Sequence, residues 1–402
     1  MSKKLRPIFL VAFVILLILS NVSFLKIIHT PSQMYVDYQE IDEANKSSSF
    51  GKFVDIKLTQ NELNASKSEA GSGEIVFKLF GLIPIKKVDV KILPEDEVYL
   101  GGMPIGLTVK TKGVMVVGDT IVDSLTTTVR KNKYLKTGDL IQAVNGRQVE
   151  NIEELTTCLN DFNMENLSLT ILRNNKQQEI QMPLIKNDIE KYSLGVWVKD
   201  DCSGIGTLTF VKKNDNSYGA LGHAVTNGQD EKTLPIKQGD IYSCSLVNIE
   251  KGEKNRPGQL QCVFIERDKK GNIDKNTKVG IYGHMDDIEG VVDANKTAKL
   301  GGRLSVKPGN AKLISNISGI SEEYDIEIIK ANYQSRCDDK SFVFRVKDSR
   351  LLELTGGIVQ GMSGSPIMQN GKIVGAVTHV FLSDATKGYG VYTDWMLQQL
   401  EE

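Results

Sequence analysis

The residues best suited to chemistry are Gly361, Ser363 and Gly364, in the run Gly-Met-Ser-Gly-Ser-Pro that ends at Pro366. Apolar, β-rich sequence containing an Asn-Gly pair follows, which predicts a tight loop that leads into a hairpin. Glycine two positions before the serine and directly after it leaves backbone N–H groups unshielded beside the hydroxyl. A nucleophile of acyl transfer needs such donors for its oxyanion, whereas a Gly/Ser-rich β-turn without chemistry is the alternative interpretation.

His223 is the histidine whose position best suits a general base for Ser363. It follows a short apolar strand and lies between Gly222 and Ala224, whose small size leaves an imidazole accessible. Such a group can take the serine proton and return it to a leaving amine, although a histidine at a strand end can also be purely structural. Of the four histidines, His284 is the rival base. We interpret it as part of a polar turn, and we predict no metal site and no cofactor.

Composition limits the classes of protein to consider. The 402 residues suffice for two or three domains, and 49 Lys and Arg against 50 Asp and Glu give a net charge of -1. This balance argues against a nucleic-acid partner. The five cysteines are scattered and form no C-x-x-C pair, so they predict neither a zinc site nor a disulfide framework.

The N-terminal segment has the pattern of a membrane anchor. Lys3, Lys4 and Arg6 precede an apolar run from Ile8 to Leu19, and no small-x-small cleavage site follows. We therefore predict an uncleaved transmembrane helix within residues 1–29 that leaves the remainder of the chain on the exported side. Residues 30–95 are predicted to be a polar tether followed by a β-hairpin.

The next segment, residues 96–187, is predicted to be a PDZ domain. The run from Gly138 to Gly146 resembles the L-x-x-G-D-x-I-x-x-V-N-G core of bacterial PDZ domains, and a helix from Ile152 to Leu159 fits after it because its apolar residues share one face. PDZ domains bind peptide ends by strand addition, with a glycine-rich loop for the carboxylate. The candidate loop residues are Gly101, Gly102, Ile105 and Gly106.

Residues 188–402 change to glycine-punctuated β sequence with short strands at regular spacing, which indicates an antiparallel barrel or sandwich. A helix from Thr393 to Leu400 closes the chain and resembles the C-terminal helix of trypsin-like barrels. The predicted fold is thus mainly β: an N-terminal membrane helix, an α+β PDZ domain and a trypsin-like antiparallel β-barrel peptidase domain.

Three stretches, 218–223, 356–367 and 375–381, resemble the stage IV sporulation protein B (SpoIVB) serine peptidases of endospore-forming bacteria. The order of membrane segment, PDZ domain and peptidase domain is similar too. The resemblance implies that His223 is the base, that Ser363 is the nucleophile, and that the N–H groups of Gly361 and Ser363 form the oxyanion hole. The loop also has the G-x-S-G-x-P form of trypsin-like proteases.

The sequence leaves several candidates for the acid of a catalytic triad. The family pattern implies Asp348, fifteen positions before Ser363, as the acid that orients His223. A surface carboxylate between two basic residues is the alternative interpretation of Asp348. Trypsin-like barrels take this acid from further upstream, which leaves open Asp230, Asp286, Asp287 and Asp293.

The resemblance also implies a biological role. Such a peptidase is exported from the forespore into the space between the two membranes, where it cleaves its own N-terminal region. It then cleaves a membrane-bound regulator of an intramembrane protease, and a sigma-factor precursor is processed as a result. The alternative is a catalytically inactive PDZ adaptor that binds membrane-protein partners.

Overall fold

A computed structural model describes residues 29–37, 40, 54–58, 71–79, 83–93, 96–119, 132–161, 166–186, 192–226 and 232–401 of the chain. Strands dominate this part of the chain. Its helical segments are α1 Ile152–Asp161, a 3-10 turn at Arg303–Ser305, α2 Ser349–Thr355 and α3 Thr393–Glu401. Strands prevail because apolar side chains that alternate with polar ones fit a pleated sheet with one buried face.

The first sheet lies at the N-terminal side of the described chain. It consists of β1 Gln33–Val36, β2 Val54–Leu58, β3 Ser72–Leu79 and β4 Ile83–Ile92, in the order β1-β4-β3-β2. β3 and β4 pair antiparallel. β1 falls within the segment predicted to be a tether. It is a strand because Met34 and Val36 pack into the core of this sheet while its backbone pairs parallel with β4.

The remaining strands, apart from β11 and β12, form a closed barrel. They are β5 Val98–Leu100, β6 Pro104–Asp119, β7 Leu140–Val144, β8 Arg147–Gln148, β9 Asn166–Arg173, β10 Lys176–Pro183, β11 Ile185–Lys186, β12 Tyr192–Ser193, β13 Val196–Lys212, β14 Ser217–Ala220, β15 Ile236–Glu250, β16 Gln259–Thr277, β17 Gly280–Met285, β18 Thr297–Leu300, β19 Gly309–Ser315, β20 Glu322–Ala331, β21 Phe342–Val346, β22 Pro366–Gln369, β23 Lys372–Phe381 and β24 Asp384–Tyr392. β11 and β12 pair with each other in a separate two-stranded sheet.

β18 connects the two halves of the barrel. It pairs antiparallel with β5 in the first half and parallel with β23 in the second half. The second half runs through β19, β20, β21, β24, β23 and β22, and α3 packs against β23 and β24. The two halves also meet where Thr207 and Thr209 of β13 donate hydrogen bonds to the loop between α2 and β22.

The segment predicted to be a PDZ core has its own apolar cluster, formed by α1, β7 and β9. Asn145 and Gly146 have φ angles of 47° and 79° and make the turn between β7 and β8, which explains the Asn-Gly pair. Asp139, almost fully buried, accepts from the guanidinium of Arg173 at 2.6 Å. The Gly-Asp and Asn-Gly residues of this run thus determine the local structure.

The loop predicted to bind peptide ends lies in the wall of the barrel. Gly101 N–H donates to Thr209 O at 3.0 Å, and Gly102 N–H donates to Leu208 O at 2.8 Å. A Cβ on Gly101 would lie 2.1 Å from Leu208 O, so close backbone approach requires glycine there. Ile105 is fully buried on β6, which pairs with β13 and β15. The predicted loop residues therefore pair with neighbouring strands and do not offer free donors to a carboxylate. They are Gly101, Gly102, Ile105 and Gly106.

The predicted N-terminal membrane helix requires a correction. In the described part of the chain, no helix is long and apolar enough to cross a membrane. The apolar run on which that prediction rested lies in residues 1–28, outside the described residues. The fold class supported by the described residues is mainly β.

One buried ion pair holds α3 against the barrel. Asp394 accepts hydrogen bonds from the backbone N–H of Arg303 at 2.6 Å and from its Nε at 2.7 Å, and the guanidinium stacks on the Trp395 ring at 4.4 Å. The side chains of Arg303 and Asp394 are 8% and 1% exposed. Burial raises the pKa of Asp394, which the nearby guanidinium opposes.

We expect Arg303→Met to lower the free energy of unfolding by about 3–5 kcal/mol, because it leaves a buried carboxylate without its cation. Urea unfolding at pH 7 and pH 5 measures this loss. The loss should be smaller at pH 5, where the carboxyl can be protonated. The matched control is Lys312→Met, which breaks the exposed pair with Asp325 and should cost less than about 1 kcal/mol. Equal losses in the two variants would contradict the prediction.

Candidate active site

The loop that carries Ser363 begins where α2 ends. Gly356 closes the helix in the left-handed conformation, with φ 74°, and its N–H donates to Leu352 O. Gly361 and Gly364 also have positive φ angles, 96° and 99°. Glycine adopts these angles without steric cost, so the loop can turn sharply on both sides of the serine. This is the tight turn predicted from the glycine spacing.

Hydrogen bonds from both halves of the barrel fix this loop. From the second half, Gly364 N–H donates to Val377 O at 2.8 Å. From β13 in the first half, Thr207 donates through its N–H to Ser363 O at 2.9 Å and through its Oγ1 to Gly361 O at 2.7 Å. The main chain of the serine is therefore held at the junction of the two halves.

His223 reaches the same junction from β14. Leu221 and Gly222 have φ angles of 68° and 70°, which turn the chain out of the strand. A Cβ on Gly222 would lie 3.0 Å from both Thr378 Cγ2 and Val377 O, so glycine lets this segment approach β23 closely. Leu221 N–H also donates to Thr207 O, the residue that holds the serine loop.

A backbone carbonyl fixes the tautomer of His223. Its Nδ1 lies 2.9 Å from Ala224 O, and because a carbonyl oxygen only accepts, Nδ1 carries the proton. Nε2 is then the unprotonated nitrogen, which is the form that a general base needs. Burial lowers the pKa of His223 below its usual value, and the hydrogen bond to Ala224 opposes that shift.

The hydroxyl of Ser363 is held by the strand beside it. Ser363 Oγ donates to Thr378 O at 2.9 Å. Within the described chain no hydrogen bond joins Ser363 to His223, although Ser363 binds Thr378 and the ring of His223 lies 5.1 Å from that of His379. The structure thus brings the two predicted residues to adjacent residues of β23 and leaves the proton-transfer bond unformed.

The two N–H groups predicted to form an oxyanion hole are those of Gly361 and Ser363. Among the residues that the structure describes, neither N–H donates a hydrogen bond, whereas the N–H groups of Met362 and Gly364 donate to Val359 O and Val377 O. Two free donors beside the serine hydroxyl are what a developing oxyanion requires. The arrangement fits the predicted hole.

Asp348 lies at the N-terminus of α2. Its side chain caps the helix, accepting from the N–H and the guanidinium of Arg350 and from Asp325 N–H at 3.2 Å. The bond from Arg350 is the main reason that its pKa falls to about 2. Both carboxylate oxygens are therefore occupied by groups other than His223. Its role as the acid stays a prediction.

The other candidates have different environments. His284 is exposed on β17, with Nδ1 2.9 Å from Asp274 Oδ2. Asp287 binds Lys270, and Asp293 accepts from Asn295 N–H in a turn. Asp286 is exposed, and Asp230 lies outside the described residues. In the described chain, the hydrogen-bond partner of the His223 ring is the carbonyl of Ala224.

Sequence reasoning gave no role to His379, although it lies next to His223. The two ring centroids are 5.1 Å apart with planes tilted by 42°. His379 is also 3.9 Å from Asp339, measured from Nε2 to Oδ2. The signal in the sequence was a polar residue in the apolar run of β23, directly after Thr378.

Gly364→Ala should detach the serine loop from the first half of the barrel. A Cβ on Gly364 would lie 2.0 Å from Thr207 O and 2.6 Å from Leu221 N, and the φ of 99° is itself strained for alanine. We expect peptidase activity to fall about 100-fold or more, since a 1 Å displacement of a reacting group has that cost. Hydrolysis of a peptide library, with thermal unfolding in parallel, measures it.

Gly371→Ala is the matched control for that variant. Gly371 has a φ of 77° in the turn between β22 and β23, but its Cβ would meet nothing within 4 Å. It should lower stability by about 1 kcal/mol from backbone strain alone and leave activity unchanged. Similar activity losses in both variants would contradict the argument from the clash.

The β-barrel presents a serine between two left-handed glycines, and the strand that binds its hydroxyl also contacts a histidine in the base tautomer. These are features of a serine peptidase site. The family model described as SpoIVB peptidase S55 matches residues 190–397, just over half of the chain. The chain belongs to this family and is a serine peptidase, which confirms the resemblance found in the sequence.

Solved structures give weaker likenesses. The PDZ domain of the SdrC-like protein from Listeria monocytogenes is 15% identical, with coverage of 22% of this chain and 90% of that one and a TM-score of 0.18. The active form of the Rv3671c protease from M. tuberculosis is 15% identical over 50% of this chain and 74% of that one, with a TM-score of 0.29.

The HtrA-type protease AlgW with a decapeptide is 10% identical over 75% of this chain and 64% of that one, with a TM-score of 0.31. TM-scores this low bear on neither function nor mechanism. No functionally curated protein matches the chain.

Proposed function

We propose that this serine peptidase is a sporulation signalling endopeptidase. It cleaves its own N-terminal region and a membrane-bound regulator of an intramembrane protease, and so triggers processing of a sigma-factor precursor. Its site of action is the space between the forespore and mother-cell membranes. The observation that carries the proposal is the serine loop inside the range matched by the SpoIVB peptidase family, where the N–H groups of Gly361 and Ser363 have no acceptor among the described residues.

The geometry supports a reaction in which His223 and Ser363 act as a pair. On substrate binding, the Ser363 hydroxyl turns from Thr378 O to His223 Nε2, which takes its proton as Oγ attacks the scissile carbonyl. The N–H groups of Gly361 and Ser363 then receive the oxyanion. His223 returns the proton to the leaving amine, and water releases the acyl group by the same steps in reverse.

Apo enzymes commonly hold such hydrogen bonds long or unformed, so the bond to Thr378 fits a resting state. Ala224 O also contributes to the reaction. It accepts from His223 Nδ1 and therefore stabilises the imidazolium that forms when Nε2 takes the serine proton. A carbonyl does this less well than a carboxylate, because it carries only a partial charge.

The folded parts of the N-terminal region restrict where self-cleavage takes place. A peptide bond must be extended and accessible to enter a peptidase, whereas β1 and β2 are paired strands and Met34 and Val36 are buried. We infer that the cut falls outside Gln33–Val36 and Val54–Leu58. N-terminal sequencing of the processed protein identifies it.

The test is to co-express the chain, or its Ser363→Ala variant, with an intramembrane protease, its regulator and the sigma-factor precursor in a non-sporulating bacterium. We expect the wild-type chain alone to cleave itself and the regulator and to start precursor processing, followed by mass spectrometry of all four proteins. If the Ser363→Ala variant starts processing equally well, the chain acts as an adaptor. If neither does, while Ser363 still reacts with a fluorophosphonate, the enzyme has another substrate.

A further inference from the structure

The hairpin of β15 and β16 connects the first half of the barrel to the serine loop. β15 pairs with β6 as far as Ser243, and β16 pairs with β17 from Gly271 onwards. We call the segment between these two points, residues 244–264, the hairpin arm. Its two strands pair with each other, and its far end contacts the residues just before Ser363.

The hairpin arm holds the peptide group that carries one of the two oxyanion donors. Gln360 N–H donates to Gly258 O at 2.8 Å, and Gln360 O accepts from Leu260 N–H at 2.8 Å. The carbonyl of Gln360 and the N–H of Gly361 belong to one planar trans peptide, so they point in opposite directions. The bond from Leu260 therefore determines where the Gly361 N–H points. A Cβ on Gly361 would lie 3.0 Å from Leu260 Cβ, which shows how closely the arm approaches the loop.

Two cysteines lie on the two strands of the hairpin arm. The register places Cys244 opposite Phe264 and Cys262 opposite Leu246, so the cysteines are diagonal neighbours on one face of the hairpin. Both are free thiols and half-buried. Cys262 is two positions along β16 from Leu260, the residue that binds the carbonyl of Gln360.

The two thiols interact with each other. The hydrogen bond between their side chains is the main reason that the pKa of Cys244 is raised and that the pKa of Cys262 is lowered. Burial adds to the first shift and opposes the second. Cys262 is therefore the thiol that ionises first, while the proton stays on Cys244. A thiolate beside a second thiol is the arrangement from which a disulfide forms by exchange.

We propose that Cys244 and Cys262 form a disulfide that locks the hairpin arm against the serine loop, with a disulfide compound as the oxidant. The register of β15 and β16 shifts on both sides of the cysteine pair, so backbone pairing alone leaves the arm two places where it can bend. A covalent bond fixes the stretch between them. The effect on activity rests on the proposed function, because it needs the Gly361 N–H as an oxyanion donor.

The reaction is thiol–disulfide exchange in two steps. The Cys262 thiolate attacks one sulfur of the oxidant and releases its first thiol, which leaves a mixed disulfide on Cys262. Cys244 then loses its proton and attacks Cys262 Sγ, which releases the second thiol. Two thiols of the arm are oxidised, one disulfide is reduced, and the two protons end on the released thiols. The new S–S bond is about 2.05 Å long, and a dithiol reductant reverses the reaction.

The test compares the purified full chain after incubation with oxidised glutathione and after incubation with dithiothreitol. Free thiols are alkylated, and mass spectrometry of the digested protein identifies which cysteines are linked. Thermal unfolding gives Tm, and an alkyl fluorophosphonate measures how fast Ser363 reacts, because its phosphoryl oxygen uses the same N–H donors as an oxyanion.

The variants are Cys244→Ser and Cys262→Ser, with Cys202→Ser as the matched control. Cys202 is also a half-buried free cysteine, but it lies on β13 and pairs with Val109 of β6. Its loss should therefore leave both the disulfide and the labelling rate as they are in the wild type.

We expect oxidised glutathione to link Cys244 to Cys262 and to leave the other three cysteines open to alkylation. The linked chain should unfold about 5 °C higher, because the closed loop restricts the unfolded chain. Ser363 should be labelled about 3- to 10-fold faster, because a fixed arm keeps the Gly361 donor in place. Cys244→Ser and Cys262→Ser should show neither response.

Alkylation of both arm thiols after the oxidant, or their linkage to other cysteines, would overturn the proposal. So would a disulfide between Cys244 and Cys262 without faster labelling, or an equal response in Cys244→Ser. If Ser363 is labelled in neither state, the nucleophile assignment fails, and the proposed function fails with it. Alkylation and Tm still decide whether the disulfide forms, so the two failures are distinguishable.

Discussion

Replacement of Ser363 by alanine is expected to reduce peptide hydrolysis on the order of a million-fold, to a level given by the oxyanion donors and substrate binding alone. The reason is that the only group lost is the hydroxyl that donates to Thr378 O, while the loop keeps its backbone hydrogen bonds to Thr207 and Val377. The variant should therefore stay folded. Cleavage of a peptide library by the purified chain, read by mass spectrometry, measures the loss.

Ser365→Ala is the matched control, because it removes a second hydroxyl two residues further along the same loop. Ser365 is fully buried, and in the described part of the chain its Oγ has no hydrogen-bond partner. Its removal should leave activity unchanged and should not lower stability, since a buried hydroxyl without a partner is itself unfavourable. Loss of activity in Ser365→Ala, or retention in Ser363→Ala, would show that the nucleophile is misassigned.

The second large effect concerns His223. We expect His223→Ala to lose activity to nearly the same extent as Ser363→Ala, because base and nucleophile act as one unit. In the wild-type enzyme, kcat/KM should fall at low pH as His223 is protonated. Since burial lowers the pKa of His223, the midpoint of that fall should lie below the ordinary histidine value of 6.5.

A pH profile of kcat/KM on one cleaved peptide tests this result, with His284→Ala as the control. His284 is exposed and paired with Asp274 on β17, so its loss should change neither rate nor profile. If His284→Ala is inactive and His223→Ala is active, the rival base is the correct one. A midpoint above 6.5 in the wild type would contradict the argument that burial dominates.

The sequence predicted the parts of the structure that local chemistry determines. Asn145 and Gly146 make a turn because few other residues adopt positive φ, and the glycines around Ser363 indicated a tight loop for the same reason. The short strand before His223, β14, was recognisable from its apolar residues and from the glycine that follows it. In each case a few adjacent residues determine the local structure.

Residues 101–106 show the limit of that reasoning. Their glycines resembled a carboxylate-binding loop, but they allow the chain to pass close to β13, about a hundred positions away in sequence. The sequence alone does not distinguish a glycine that permits close backbone contact from a glycine that exposes an N–H group. The difference lies in which strand pairs with it, and nothing local specifies that pairing.

The same limit applies to the partners of the base. Asp348 had a recognisable place in a family pattern. Its role as a helix cap could be identified only after α2 was located. The contact of His379 with His223 depends on β14 and β23 meeting across the barrel. Short apolar runs predict that such strands exist, but their register and neighbours come from tertiary packing.

The attachment of β1 to α3 has a consequence for folding. Tyr35 N–H donates to Asp394, a contact between residues 359 positions apart, and Asp394 also binds Arg303. Such a closure is entropically costly and slow, because almost the whole chain must be gathered before it forms. Asp394 follows every strand of the barrel in chain order, so a nascent chain cannot form this contact until α3 has left the ribosome. Completion of the fold therefore depends on α3, and a product truncated before Asp394 would leave β1 without its contact to that helix.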